Sequence, residues 1–403
     1  METIGVVAEF NPFHNGHHYL LQEIRKHCGA DCRIVIIMSG SFVQRGEPAF
    51  FDKWRRTRWA LCHGADCVIE LPAVYSLSHA DGFAGGAIRL AKALGCTTIA
   101  CGVEKGKSDE FFTLARGALA LADIPVNDHR GQPYGTYITT ALQEKYPYEG
   151  RLLTTPNALL AIAYAKAIVQ YAPSLRLLPI RRRGQSHDMP GLTAFASATA
   201  IRNALCTGTS ALLKDSVPPS IYDDMERLLA TGNYTDYDRY GDFIVYANRL
   251  TTTDQLRELP AFSEGLENRW HRIFETAPTW PEALSALKTR RYAYSRLCRM
   301  GAYTVLHLSR SVMADSLHEG PQYARILGFT PQGQGLLKER KGQIPLLTKV
   351  AAQRPGLPTP GQEQLAIDIV ATDVQALCCH APSYRKGKKD FLTSPQILNQ
   401  EYI

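Results

Sequence analysis

Two rhythms alternate along the first part of the chain. Short apolar runs at Ile4–Ala8, Arg33–Met38, Cys67–Glu70 and Thr97–Cys101 alternate with stretches of helical periodicity, from Gly16 to about His27, at Trp54–His63 and at Gly82–Leu94. Such alternation predicts a parallel sheet covered by helices. Arg33-Ile34-Val35-Ile36-Ile37-Met38 is apolar on both of its alternating faces, as a strand buried on both sides must be. A polar stretch with Gly and Pro, Asp123–Arg151, reads as a linker or an insertion. Thr155-Pro156 then supplies an N-cap and a first-turn proline for a helix to about Tyr171, and Leu177–Ile180 reads as another strand. Beyond Gly208 the pattern turns mostly helical, with helices expected at Leu256–Glu267, Glu282–Leu308 and Gln322–Leu327. From about Gln332 there are Gly-rich turns and two strand-like runs, Ile344–Val350 and Leu365–Ala371.

With 403 residues, two or three domains are expected. Hydrophobic residues make up 45% and charged ones 21%, the balance of an ordinary globular protein. No apolar run approaches a membrane span, and a first strand at Ile4 leaves no room for a signal peptide, so a cytoplasmic location is expected. The formal net charge of +7 permits a polyanionic partner. Ten cysteines, among them Cys28 with Cys32, Cys62 with Cys67 and Cys96 with Cys101, lack a paired C-x-x-C arrangement. They read as small core residues, and no metal site is expected.

Candidate chemistry gathers where the first strand ends. Glu9-Phe10-Asn11-Pro12-Phe13-His14-Asn15-Gly16-His17 sets an H-x-G-H tetrad directly after Ile4–Ala8. That is the carboxyl edge of the expected sheet, where open α/β folds bind ligands. Pro12 stiffens the turn, and Gly16 keeps a Cβ out of a ligand's way. The helix begun by His18, Tyr19, Leu20, Leu21 and Ile24 would aim unpaired N–H groups and a positive dipole end at an anion. Transfer of AMP from ATP builds charge on the α-phosphate and the leaving pyrophosphate, which donors fixed in advance stabilise. His14 and His17 suit that role best, with acid–base work also open. His18 reads as an exposed neighbour. Gly102 follows a strand, Asn157 lies in the first turn of its helix, and Arg182 belongs to the cluster Arg181-Arg182-Arg183, in which the sequence does not say which residue points inward. Ser197 would cap a helix that offers the Ser197 and Thr199 hydroxyls and Arg202 to phosphates.

The segment from Gly5 to His17 resembles the H-x-G-H nucleotidyltransferase superfamily, and its form E-F-N-P-F-H-N-G-H resembles the bacterial tRNA(Met) cytidine acetate ligase family. Met38–Pro48, Gly64-Ala65-Asp66 with Glu70-Leu71-Pro72, Phe195–Arg202 and Ala366–Asp373 extend the resemblance over nearly the whole chain. It implies an α/β protein: a Rossmann-like parallel-sheet nucleotidyltransferase domain over 1–208, a mostly helical RNA-binding region over 209–330 and a small C-terminal α+β region over 331–403. It also implies a reaction, in which ATP activates acetate as acetyl-AMP and N4 of the wobble cytidine of elongator tRNA(Met) takes the acetyl group. His14 and His17 would be catalytic. Val7, Ala8, Glu9, Phe10, Asn11, Pro12, Phe13, His14, Asn15, Gly16, His17, His18, Tyr19 and Leu20, with Gly102, Asn157, Arg182, Ser197, Thr199 and Arg202, would bind ATP. The chain departs from the family at Arg183–Asp188, which is shorter than the usual glycine-rich version.

An anticodon is a single-stranded loop whose target base must be splayed out to reach the adenylate. Basic tracks for it are Arg55, Arg56 and Arg58; Arg290, Arg291, Arg296 and Arg299 on one expected helix, the favoured set; and Arg385, Lys386, Lys388 and Lys389. Tyr292, Tyr294 and Tyr384 would stack on bases or pack in the core. Mg²⁺ is expected as the phosphate counterion, with Asp52, Asp66 and Glu70 as candidates equally explicable as ion-paired surface groups. The alternatives are a small-molecule adenylyltransferase of the phosphopantetheine or nicotinate-mononucleotide type, which would leave half the chain without a task, and a non-catalytic RNA-binding protein, against which His14, Gly16, His17 and Arg202 stand intact.

Overall fold

Each apolar run of the first half becomes a strand. The computed structural model describes residues 1–122, 134–183, 194–289 and 291–399. Its strands are β1 (Thr3–Ala8), β2 (Arg33–Ser39), the short pair β3 (Phe42–Val43) and β4 (Glu47–Pro48), β5 (Cys67–Leu71), β6 (Thr98–Val103), β7 (Arg176–Arg181), β8 (Ala324–Phe329), β9 (Leu346–Leu347) and β10 (Gln396–Ile397). The main sheet runs β10-β8-β5-β2-β1-β6-β7, with β9 on β8, while β3 and β4 form a separate hairpin. Strands β5, β2, β1, β6 and β7 are parallel. The chain builds from β1 outward to β2 and β5, then returns to lay β6 on the other side of β1. The carboxyl ends of β1 and β6 therefore form the switch point, where connecting loops part and leave a crevice.

Side-chain alternation along β2 divides the core. Ile34, Ile36 and Met38 pack with Ile4, Val6 and the helices Asn15–Cys28 and Lys53–Cys62 on one face. Val35 and Ile37 pack on the other with the helices Ala80–Ala93, Ser108–Ala122 and Pro156–Tyr171. That second core continues without a break into the helical region, where Trp270 is fully buried and donates to Asn248 Oδ1 at 2.6 Å. Among the described residues no single helix is long and apolar enough to cross a membrane.

The second half departs from expectation in several places. Gln322–Leu327, expected as a helix, is largely strand β8, antiparallel to β5 with Glu70 opposite Arg325; a short run buried on both faces has no period to betray it. Leu365–Ala371, expected as a strand, lies inside the helix Thr359–Leu377. That helix turns a polar stripe inward, with Gln364, Asp368, Thr372 and Gln375 all buried, so its apolar residues do not mark the core face. Ile344–Val350 contributes only the two residues of β9. The helix expected over Glu282–Leu308 is two, Trp280–Leu287 and Tyr294–Leu306, and Lys288 donates from Nζ to the carbonyls of Thr289 and Tyr292 at 2.8 and 2.9 Å in the break. Leu256–Glu267 divides likewise into Thr253–Arg257 and Leu266–Thr276, around positive φ at Ala261, Glu264 and Gly265.

Candidate active site

The H-x-G-H segment forms the turn from β1 into the helix Asn15–Cys28 and caps that helix with its own imidazoles. His14 is the N-cap: its Nδ1 accepts the Gly16 N–H at 3.0 Å, and the His14 N–H donates to His17 Nδ1 at 3.3 Å. The two rings stack at 3.8 Å with 24° between planes. A neutral imidazole that accepts at Nδ1 carries its proton on Nε2, so the backbone fixes both histidines as Nε2–H donors. Phe10 and Phe13 close on His17 at 4.8 and 5.6 Å between ring centroids. Phe10 itself adopts a left-handed φ of 47°, unfavourable for a bulky residue and held here by burial. Burial, with the nearby His14 and Arg182, holds His17 well below its ordinary pKa and keeps the ring neutral.

The helix N-terminus is less open than expected. The N–H groups of Asn15, Gly16, His17 and His18 already donate to Ser216 O, His14 Nδ1 and His14 O, which leaves an incoming anion the dipole and the imidazoles. His18, expected to be exposed, is half-buried against His63 and 3.2 Å from Gln22. Asn15 donates to the carbonyls of Ala194 and Asp215 at 3.0 and 2.8 Å, tying the turn to the segment before Ser197. Tyr19 meets Phe195 edge-on, and Val7, Ala8, Glu9 and Leu20 are half-buried around the crevice.

Asn11 and Arg202 bind the two signatures together. Arg202 donates to the Asn11 carbonyl at 2.8 Å and pairs with Glu47 at 3.2 Å. The buried Asn11 side chain accepts the Phe50 N–H at 2.8 Å. Glu9 accepts the Gln44 N–H at 2.8 Å, and burial pushes its carboxyl up. Arg56, expected on a basic track, is instead fully buried and donates to the carbonyls of Glu9, Ser39, Gly40 and Phe51. It holds the ends of β1 and β2 in place, and burial lowers its pKa to about 10.

Across the switch point, Gly102, Asn157 and Arg182 converge on Glu104, a residue that sequence reasoning missed. Asn157 donates to Glu104 Oε1 at 2.5 Å and Thr155 to Oε2 at 2.8 Å, so Thr155 spends its hydroxyl there rather than on its own helix. Although burial pushes the Glu104 carboxyl up, these bonds outweigh it and, with Arg182, hold it below its ordinary value. A Cβ at Gly102 would meet Arg182 Cγ at 3.2 Å, so the glycine gives that side chain its path. Of the arginine cluster, Arg182 influences both Glu104 and His17, whereas Arg183 lies over the Tyr19 ring at 4.7 Å. An acid directly after a strand at the switch point is the signal that could have found Glu104. Ser197 caps the helix Ala198–Cys206 through the Ala200 N–H, and Thr199 is half-buried in its first turn. Residues Gly184–Asp188, where the family pattern is shortened, lie outside the described residues.

The carboxylates considered for Mg²⁺ do not fit the ion. Asp52 caps the helix Lys53–Cys62, and Asp66 accepts from the Ile34 N–H and Arg25. Glu70 is buried with both oxygens 2.8 Å from Lys53 Nζ, which also meets Asp390 at 2.8 Å and Thr372 at 3.1 Å. On the expected RNA face, Arg290 lies outside the described residues. Arg291 precedes the helix and pairs with Glu264, while Arg296 donates to Ala261 O at 2.9 Å. Arg299 donates to Gln44 O at 3.3 Å, which brings the helix Tyr294–Leu306 to the β3–β4 hairpin beside Glu9. Gly46 allows that approach: it has φ +84°, and a Cβ there would strike the Cys298 and Arg299 backbone. Arg55 pairs with Asp224 at 3.2 Å and Arg58 is exposed; Tyr292 is buried and Tyr294 exposed.

Imidazole N–H donors and guanidinium groups at a sheet switch point make a site suited to a nucleoside triphosphate. A family model described as HIGH Nucleotidyl Transferase matches residues 1–390. The tRNA(Met) cytidine acetate ligase of Latilactobacillus sakei is 38% identical over 88% of this chain and 89% of its own. The protein of the same name from Syntrophomonas wolfei is 35% identical over 98% and 99%. Thermotoga maritima TmcAL superposes with a TM-score of 0.93 in its apo form, at 29% identity over 99% of this chain and 100% of that one. Its structure bound with alpha-thio ATP gives 0.91 at 30% identity over the same shares.

Proposed function

The chain belongs to the tRNA(Met) cytidine acetate ligase family, and from that footing we propose how its site works. The protein is an ATP-dependent ligase that forms N4-acetylcytidine at the wobble position of elongator tRNA(Met). A carboxylate oxygen of acetate attacks the α-phosphorus of ATP, and the bond to pyrophosphate breaks. The N4 amine of the cytidine then attacks the acetyl carbon of acetyl-AMP, AMP leaves with the bonding pair, and the amine gives up a proton.

The observation that carries this reading is the pair of stacked imidazoles fixed as Nε2–H donors at the switch point. In these roles His14 and His17 stabilise charge on the α-phosphate, which needs donors and no change of protonation. Val7 through Leu20 line the nucleotide, Gly102 and Asn157 face its nucleoside end, and Arg182 meets the phosphates. Ser197, Thr199 and Arg202 serve the β- and γ-phosphates. Residues 1–208 carry the catalytic side chains, 209–330 carry the RNA face through Arg290, Arg291, Arg296 and Arg299, and 331–403 form the small third region, with β8 and β10 completing the sheet of the first. Ten unpaired cysteines suit work in the reducing cytoplasm.

The deciding experiment incubates the protein with ATP, Mg²⁺ and labelled acetate, with and without tRNA, followed by nucleoside analysis. Label on a cytidine of tRNA(Met) is expected. AMP transferred to a small phosphate, with no label in the RNA, would replace this reading by the small-molecule adenylyltransferase.

A further inference from the structure

We propose that His380 is a stacking platform for a base of the RNA loop that carries the target cytidine. The proposal rests on the function above and adds a contact to it. Three rings lie nearly parallel in series: Phe50 on Tyr234 at 5.4 Å and 15°, and Tyr234 on His380 at 5.2 Å and 8°. Packed rings beneath them meet edge-on, Phe50 with Phe51 at 84° and Phe51 with Trp59 at 81°, the usual arrangement of a core. The parallel series starts inside and ends outside. Phe50 is fully buried and its N–H donates to Asn11 of the H-x-G-H turn at 2.8 Å, whereas the His380 side chain is 56% exposed.

The outer ring is held for use. His380 Nδ1 lies 3.3 Å from Asp236 Oδ2, its N–H donates to Tyr234 O at 3.0 Å, and Arg385 donates to its carbonyl at 2.6 Å. One face rests on Tyr234 and the ring plane is fixed, so a further ring can join without an ordering cost in the protein. Arg385, Lys386, Lys388 and Lys389 follow within nine residues of His380, and the acids on the facing helix Tyr237–Leu250 and its cap are Asp236, Asp238 and Asp242. A flat ring beside a cluster of cations matches the two needs of single-stranded RNA, a π-face for a base and charge for the backbone. A base stacked on His380 would lie three rings from the turn that holds His14 and His17, which suits a neighbour of the flipped cytidine.

The test uses the full chain as wild type, His380→Ala and His380→Phe. Acetate-dependent ATP–pyrophosphate exchange is measured without RNA, and binding is measured with an anticodon stem-loop bearing 2-aminopurine beside the target cytidine. In the alanine variant, exchange stays at the wild-type rate, stem-loop binding weakens roughly 5- to 150-fold, and quenching of the 2-aminopurine is lost. Phenylalanine restores both. Wild-type binding and quenching in the alanine variant would overturn the platform, as would a phenylalanine variant as weak as alanine or a loss of exchange. Acetylation of intact tRNA by the wild type is scored in parallel. No labelled cytidine there removes the parent function and the platform together, whereas labelling with an unaffected alanine variant removes the platform alone.

Discussion

The carboxyl edge of the sheet has two halves built from similar side chains with opposite fates. At β5 and β8, Lys53, Glu70, Asp390 and Arg325 are buried together, and the helix Thr359–Leu377 lies over them. At β1, β6 and β7, His14, His17, Glu104 and Arg182 gather at the switch point of the sheet. Both halves perturb their ionisable groups. Burial pulls the Lys53 ammonium down, but Asp390 and Glu70 outweigh it and hold it above its ordinary value; burial pushes Glu70 and Asp368 up. Perturbed titration therefore does not by itself tell a working site from a structural one. The difference lies in who answers the charge. On the β5 side the protein does, with Asp368 accepting from the Ala73 N–H at 2.6 Å and Tyr323 at 2.5 Å. On the β1 side Glu104 is answered by Asn157 and Thr155, while the Nε2–H groups of His14 and His17 are the donors that the proposed function assigns to the nucleotide.

Substitutions should separate the two halves. Lys53→Met leaves Glu70 buried without its direct cation partner and Asp390 with Arg325 alone, and should cost about 3–5 kcal/mol of stability, read as a lower denaturation midpoint, while the folded fraction keeps its adenylation rate. A variant as stable as wild type would show that the cluster is not a closed ion network. His17→Ala should remove about 2.7–4 kcal/mol of transition-state stabilisation and, through the lost cap to His14 N–H, lower the midpoint by the smaller amount that about 0.5–2 kcal/mol of stability represents. Exchange within tenfold of wild type would remove His17 from the chemistry.

A smaller effect concerns acid. The folded pKa of His17 lies well below its ordinary 6.5, so below that pH the unfolded chain takes up a proton that the folded one refuses. Stability should fall as pH drops from 6.5 towards the depressed value, and His17→Ala should shallow that slope; an identical slope in both proteins would contradict the buried neutral ring. The smallest change expected is on RNA. Replacing Arg291 and Arg296 by Ala should lower the salt slope of tRNA binding by about 0.7 for each phosphate left without its arginine, and an unchanged slope would take them off the interface.

Local signals carry much of this structure in the sequence. Strands β1, β2, β5 and β6 and the cap at Ser197 are short-range patterns, and the H-x-G-H turn sits where its flanking strand and helix require. What stays illegible depends on partners far along the chain. Arg56 reads as one of three surface arginines until the carbonyls of Glu9, Ser39 and Gly40 surround it. Glu104 gains meaning from Asn157 and Thr155. The helix Thr359–Leu377 hides from its own pattern because hydrogen-bonded polar residues are buried beside its apolar ones, with Gln375 donating to Ala49 O at 2.6 Å and Gln364 to Gly320 O at 3.1 Å.

Strand β8 also sets a timetable for synthesis. As the chain leaves the ribosome, β1, β2, β5, β6 and β7 emerge early and can pair, yet the outer edge of β5 waits for Ala324–Phe329 and that of β8 for Gln396–Ile397. Until then the nascent protein presents an apolar strand edge, Cys67–Leu71, and a Lys53–Glu70 pair still lacking Asp390. Chains released before Ala324–Phe329 would carry the whole H-x-G-H segment and still be prone to stick together, so a strand made about 250 residues after β5 is the one that makes its edge safe.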